Sequence, residues 1–188
     1  RTKYWNREKN RGFELQGKTI GIIGFGHTGA AFASKLSGMG MKILVYDKYK
    51  SHYTFGHPFV KETTLEEIQN QADIISFHLP LTEEIHHYLN ADFIIKCKKG
   101  FVLINTSRGK VVDTKALIQG LENGQIGGAC LDVFENEKPN TFSQEEHEMY
   151  NQLYQFPNTI LTPHVAGWTV ESKARLSEVI LGKLRKVL

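Results

Sequence analysis

The glycine run Gly24-Phe25-Gly26-His27-Thr28-Gly29 stands directly between an apolar, β-branched segment, Thr19–Ile23, and a stretch of helical period, and this leaves the chain few folds to choose from. In a strand-to-helix turn the first glycine permits the tight bend. The second lets a pyrophosphate approach the backbone, and the third lets helix and strand pack closely. The helix start then offers unpaired amides and a partial positive charge to phosphate. A second apolar run, Lys42–Tyr46, ends at Asp47, and about 20 residues past such a loop is where a carboxylate meets the adenine ribose diol of a dinucleotide. An acid there favours NAD over NADP, because a 2′-phosphate would bring like charges together; we expect at least about tenfold, or about 1.4 kcal/mol. Lys48 and Lys50 beside it pull the other way.

The same rhythm runs on. Apolar runs at Thr19–Ile23, Lys42–Tyr46, Ile74–Phe77, Phe101–Asn105, 128–131 and Thr159–Leu161 alternate with helical periods at 28–38, 65–71, 91–97, 114–123 and 170–188. This is the pattern of βαβ units around a parallel sheet buried on both faces. It predicts a doubly wound α/β domain of the Rossmann type with a mainly parallel sheet of about six or seven strands. Thr64 with Glu67 has capping-box spacing, and Asp113 is placed to accept the first amides of the helix beginning at Thr114. Gly40, Gly100 and Gly124 mark helix ends. The segment 135–157, with little period over its first half, reads as an unusually long loop.

A net charge of +3 with lysine and arginine scattered, in small groups such as Lys96, Lys98, Lys99 and Arg185, Lys186, argues against nucleic acid as a partner. Cys97 and Cys130 are far apart in apolar contexts, which implies neither a disulfide framework nor a zinc cluster and fits a reducing cytoplasm. Nor does any apolar run approach the about 20 residues of a membrane span. The chain opens at Arg1 on a polar, charged stretch without a signal peptide, and reads as a piece of something longer.

Three side chains have the chemistry to act on a small oxo or hydroxy acid. Arg108 follows the run Phe101–Asn105, and ligands of open α/β sheets bind beyond the carboxyl ends of strands; its guanidinium fork matches a carboxylate. His164 follows Thr159–Leu161, and imidazole titrates nearest neutral pH. Glu137 could hold the second ring nitrogen of that histidine and favour imidazolium. Taken singly, each is equally a surface ion pair, a structural histidine or a solvated carboxylate. His78 at a strand end reads as a packing or turn residue, and His52, His57, His86, His87 and His147 show neither the spacing nor the carboxylate partners of a metal site.

Asn105-Thr106-Ser107-Arg108-Gly109, Leu131-Asp132-Val133-Phe134-Glu135-Asn136-Glu137 and Pro163-His164-Val165-Ala166-Gly167 follow the dinucleotide loop in that order. With the leader Glu14-Leu15-Gln16-Gly17-Lys18-Thr19 and Phe77-His78-Leu79-Pro80-Leu81-Thr82, the chain from about Gly12 onward resembles the D-isomer-specific 2-hydroxyacid dehydrogenases, such as their phosphoglycerate, glycerate and lactate members. The resemblance implies an NAD-dependent oxidoreductase that interconverts a D-2-hydroxy acid and its 2-oxo acid, 3-phosphoglycerate or a relative. Arg108, Glu137 and His164 would be the catalytic trio. The cofactor would be held by Gly24, Gly26, His27, Thr28, Gly29 and Asp47 on one side and by Thr106, Ser107, Arg108, Asp132, His164 and Gly167 on the other, with Asp132 facing the nicotinamide carboxamide. No metal is implied.

It also implies a homodimer through this domain, with residues 1–13, Tyr4 and Trp5 included, as linker and dimer arm. Residues 14–170 would be the NAD-binding domain, and 171–188 a return helix towards a substrate domain. These 188 residues alone would bind NAD and turn over poorly. Two departures bear on substrate: a longer connection from Glu137 to His164, and the bulky Trp168 where a small residue is usual. The rival reading is an NAD(H)-sensing corepressor or scaffold of the same fold; a formate dehydrogenase is disfavoured because that chemistry has glutamine in place of Glu137.

Overall fold

A computed structural model describes residues 5–8 and 11–186. Its strands are β1 (Thr19–Ile23), β2 (Lys42–Tyr46), β3 (Val60–Glu62), β4 (Ile74–Phe77), β5 (Phe101–Asn105), β6 (Ile126–Leu131) and β7 (Thr159–Leu161). Its helices are α1 (His27–Leu36), α2 (Leu65–Gln71), α3 (Ala91–Ile95), α4 (Thr114–Glu122), α5 (Gln144–Gln155) and α6 (Val170–Leu184). All seven strands form one sheet in the order β3-β2-β1-β4-β5-β6-β7, every pair parallel. The chain winds outward from β1, returns, and continues from β4, so the topological switch point lies between those two strands.

Strand alternation builds two cores. Ile20 and Ile22 with Ile43, Val45 and Ile74 pack under Ala33 and Leu36 of α1. Ile23, Leu44, Ile75, Phe77 and Leu103 face the other way, onto α2, α3 and α4. The first face is incompletely covered at one end: Ile104, Cys130 and Ile160 are in register on neighbouring strands, yet Ile160 is 64% exposed. Helix α6 buries none of its residues although Leu176, Val179, Ile180, Leu181 and Leu184 are apolar.

Several expectations need correction. The segment 135–157 is not one long loop, for it carries α5, opened by a capping box of Ser143 and Glu146; only Tyr150 and Leu153 of that helix are buried, which left its period faint. Strand β3, three residues at the sheet edge, offered no apolar run at all. Strand β6 starts at Ile126 rather than 128, and α3 stops at Ile95 rather than 97. Thr64 does accept from the Glu67 amide, but the Glu67 carboxylate turns to Thr63, Lys61 and Gln71, so the capping box is half formed. Asp113 caps α4 as expected, and Gly40, Gly100 and Gly124 are left-handed. In the expected arm, Tyr4 lies outside the described residues and Trp5 is exposed; Leu188, the expected end of the return helix, also lies outside them.

Candidate active site and cofactor cleft

The glycine loop leaves β1 at the switch point. Gly24 has φ +93°, and a Cβ there would sit 2.4 Å from the His78 carbonyl oxygen; at Gly29 it would sit 2.1 Å from the carbonyl oxygen of Gly24. Gly26 has nothing within 4 Å of the same position. Packing therefore demands the outer glycines, while the middle one leaves open the space a phosphate would need. Among the described residues, α1 is the only α-helix without a side-chain cap, since α2 to α6 are capped by Thr64, Asn90, Asp113, Ser143 and Thr169. No side chain competes for the amides of its first turn, so the loop fits a pyrophosphate.

Beside it opens a pocket of about 270 Å³ lined by Gly24, Gly26, Tyr46, Asp47, Leu79 and Ile85 among others. The Asp47 carboxylate accepts from the amides of Phe25 (2.9 Å) and Tyr49 (3.1 Å), which fixes it at this pocket. Across the His78 wall lies a second pocket, about 370 Å³, lined by Thr28, Thr106, Ser107, Arg108 and Gly167. The two suit the two halves of a dinucleotide. Sequence reasoning left out His78, which lines both. Burial pushes its pKa down to about 4, and its Nε2 lies 3.0 Å from the Ser76 hydroxyl, so it is a neutral wall. His27, by contrast, opens α1 with an exposed side chain and lines neither pocket.

Arg108 stands on a turn organised by Asn105, which is wholly buried at the end of β5. The Asn105 carbonyl oxygen accepts from the Ser107 amide (3.0 Å) and hydroxyl (2.8 Å), and its amide group donates to the Arg108 carbonyl (3.0 Å). Sequence reasoning did not single out Asn105; a polar residue closing an apolar run was the available signal. A Cβ on Gly109 would fall 1.8 Å from the Phe134 carbonyl oxygen, so the Arg108 turn lies directly on the backbone that carries Glu137.

The His164 Nδ1 is 2.9 Å from the Glu137 carboxylate. An ionised carboxylate only accepts, so Nδ1 carries the proton. Arg108, Glu137 and His164 line one open pocket of about 590 Å³, together with Leu81, Lys110 and Lys138. Asp132, expected at the cofactor, is buried behind His164: it accepts from the Thr162 hydroxyl (2.6 Å) and the amides of Val165 and Ala166 (2.8 Å each), and its own carbonyl accepts from the His164 amide (2.7 Å). Burial raises the Asp132 pKa, but these donors outweigh it and the net direction is down. Trp168, beyond Gly167, is exposed, with the Lys173 ammonium 4.5 Å over its ring.

His87, not singled out in the sequence, has carboxylate neighbours: its Nε2 lies 2.7 Å from Glu135 and its Nδ1 4.0 Å from Asp113. Glu135 also accepts from the Thr114 amide (2.9 Å), which ties the start of the Glu137 loop to α4. Among the described residues no group of three or more His, Cys, Asp or Glu could hold a metal, and no helix is long and apolar enough to cross a membrane.

Comparison with known proteins bears on the site as a whole. The family model for "D-isomer specific 2-hydroxyacid dehydrogenase, NAD binding domain" matches residues 1–166. The chain is 41% identical over 187 residues to a glyoxylate reductase of Thermofilum pendens, covering 99% of this chain and 53% of the relative. It is 40% identical over 185 residues to a D-3-phosphoglycerate dehydrogenase of Bacillus subtilis, covering 96% of this chain and 34% of that protein. Among solved structures, D-lactate dehydrogenase from Aquifex aeolicus complexed with NAD and lactic acid superposes with a TM-score of 0.85 at 34% identity, covering 97% of this chain and 56% of that one. The chain thus spans about half the length, or less, of the curated relatives it matches.

Proposed function

Since the chain belongs to the D-isomer-specific 2-hydroxyacid dehydrogenases, whose NAD-binding domain it is, we propose that the whole protein interconverts a D-2-hydroxy acid and its 2-oxo acid, with Arg108, Glu137 and His164 as its catalytic residues. The carboxylate–imidazole contact of 2.9 Å on a pocket shared with a guanidinium carries this reading. When held by the glycine loop and the Thr106–Ser107 side of the cleft, NAD(H) would supply or accept the hydride. Arg108 binds the substrate carboxylate and polarises the adjoining carbonyl. His164, its Nδ1 proton held by Glu137, gives a proton from Nε2 to the substrate oxygen in reduction and takes it back in oxidation. Glu137 fixes the tautomer and favours the imidazolium.

The cofactor residues of the proposal are Gly24, Gly26, Thr28, Gly29 and Asp47 on the adenosine and pyrophosphate side, with Thr106, Ser107 and Gly167 on the nicotinamide side. The pockets support that division for Gly24, Gly26 and Asp47 on one side and Thr106, Ser107 and Gly167 on the other, with Thr28 bordering the second pocket and Gly29 neither. His27 enters through its position at the helix start, and Asp132 by bracing His164. A substrate of the 2-oxo acid class fits Arg108; 3-phosphoglycerate is one candidate, and the relatives' names add glyoxylate as another. The partly bare sheet face supports a homodimer through this domain, and the two unpaired cysteines support a cytoplasmic setting.

The test is NADH absorbance in the intact protein with glyoxylate, hydroxypyruvate, pyruvate and 3-phosphohydroxypyruvate, followed by the chirality of the product. Consumption of NADH with at least one of them, giving the D-isomer, is expected. An L-product, or no consumption with any 2-oxo acid, would overturn the assignment.

A further inference from the structure

Asp47 argues for NAD, but two lysines follow within three residues, and a cation beside the adenine ribose is what a 2′-phosphate requires. Neither lysine is free in the structure. The Lys50 ammonium donates to the Phe25 carbonyl (2.8 Å) and lies 3.9 Å from Asp47, folded back onto the glycine loop. Lys48 forms an ion pair with Glu84, whose other carboxylate oxygen accepts from the Tyr49 hydroxyl. Lys48 and Tyr49 line the Asp47 pocket, and so do Thr82 and Ile85, which flank Glu84 in the chain. Glu84 therefore ties the segment of Thr82 and Ile85 to that of Lys48 and Tyr49 at the rim of the pocket and occupies one of its two lysines, while the Phe25 carbonyl and Asp47 hold the other.

From this arrangement we infer that Glu84 is a cofactor-specificity residue: it keeps Lys48 from a 2′-phosphate and so reinforces the choice of NAD that Asp47 begins. The inference rests on the proposed seating of the adenine ribose at Asp47. The pair is an exposed one, with side chains 52% and 43% accessible, so it contributes little to stability. Its role is to decide which charge remains available. Replacing Glu84 by glutamine removes an anion and releases Lys48 at once, and a second substitution at Lys48 separates these effects.

The experiment is fluorescence titration of NADH and NADPH into the intact protein and its Glu84→Gln, Lys48→Met, Glu84→Gln/Lys48→Met and Asp47→Asn variants at one ionic strength, with circular dichroism confirming that each is folded. For Glu84→Gln the NADPH dissociation constant should fall about tenfold, or about 1.4 kcal/mol, with that for NADH changing less than about twofold; the gain should vanish in the double variant and shrink as salt is raised. An unchanged NADPH affinity in Glu84→Gln, or a gain that persists without Lys48, would overturn the inference while leaving the seating intact. If Asp47→Asn left NADH binding unaltered, the seating itself would fail and take the inference with it.

Discussion

His164 has φ +55°, a left-handed backbone that histidine tolerates better than branched residues do. Asp132 holds the backbone there, its carbonyl accepting from the His164 amide and its carboxylate from the Val165 and Ala166 amides, while Glu137 alone orients the ring. If His164 moves the proton, His164→Ala should lower kcat by roughly 10² to 10⁴. Glu137→Gln removes the carboxylate that orients the ring, so kcat should fall at least about tenfold; an unchanged kcat would exclude the pairing. His78 makes a stability prediction. Its native pKa of about 4 lies below its ordinary 6.5, so the unfolded chain binds the extra proton first. Stability is therefore lost as pH falls from about 6.5 to about 4 and levels off below. His78→Asn should flatten that slope in urea unfolding midpoints measured across the window, and an equal slope in both proteins would refute it.

Elements were legible from the sequence where apolar residues run together. Strands β1, β2, β4, β5 and β7 have the expected bounds because each is an apolar run, packed in the first four and largely uncovered in β7, whereas β3 and α5 touch the core through one or two residues and left little pattern. The sharper lead to α5 was polar: Ser143 and Glu146 have capping-box spacing ahead of it. In the site, motif residues were readable but their supports were not. Thr162 and the His87–Glu135 pair act through contacts between segments distant in sequence, which no local spacing encodes, whereas Asn105 acts locally, through a turn with Ser107 and Arg108. The loop entering α1 gives a paired test. Gly26→Ala meets no protein atom and should leave thermal stability within about 0.5 kcal/mol while weakening NADH binding at least about tenfold. Gly29→Ala drives a methyl group into the Gly24 carbonyl and should destabilise the fold itself. Parallel losses in both variants would mean that Gly26 serves packing rather than phosphate.

At the scale of the whole molecule, the trio faces open space. The His164 and Glu137 side chains are 49% and 40% exposed, and charges in water attract a small anion weakly. Residues 1–188 by themselves should bind NADH yet turn over poorly, because positioning and exclusion of water supply much of the barrier reduction. Turnover at or above about 1 s⁻¹, an ordinary enzyme rate, would show that no further wall is needed. Parallel sheets are normally buried on both faces, so the bare stretch at Ile104, Cys130 and Ile160 marks a surface to be covered. If a second copy covers it, Ile160→Glu should move the intact protein from dimer to monomer in sedimentation velocity, and an unmoved dimer would place the contact elsewhere.

The parallel sheet also governs when the cleft comes into being. No two neighbouring strands can join through a hairpin, and the central pair sets Ile20 beside Ile74, so the seam closes only after a long stretch of chain has been gathered in. Folding should accordingly belong to the slower, milliseconds-to-seconds range of non-local topologies. The glycine loop and His78 meet across that same seam, which means the dinucleotide has nothing to grip until β1 and β4 have paired. Bound NAD would then act as a brake on unfolding without hastening refolding, giving the protein a lifetime set by the supply of its cofactor.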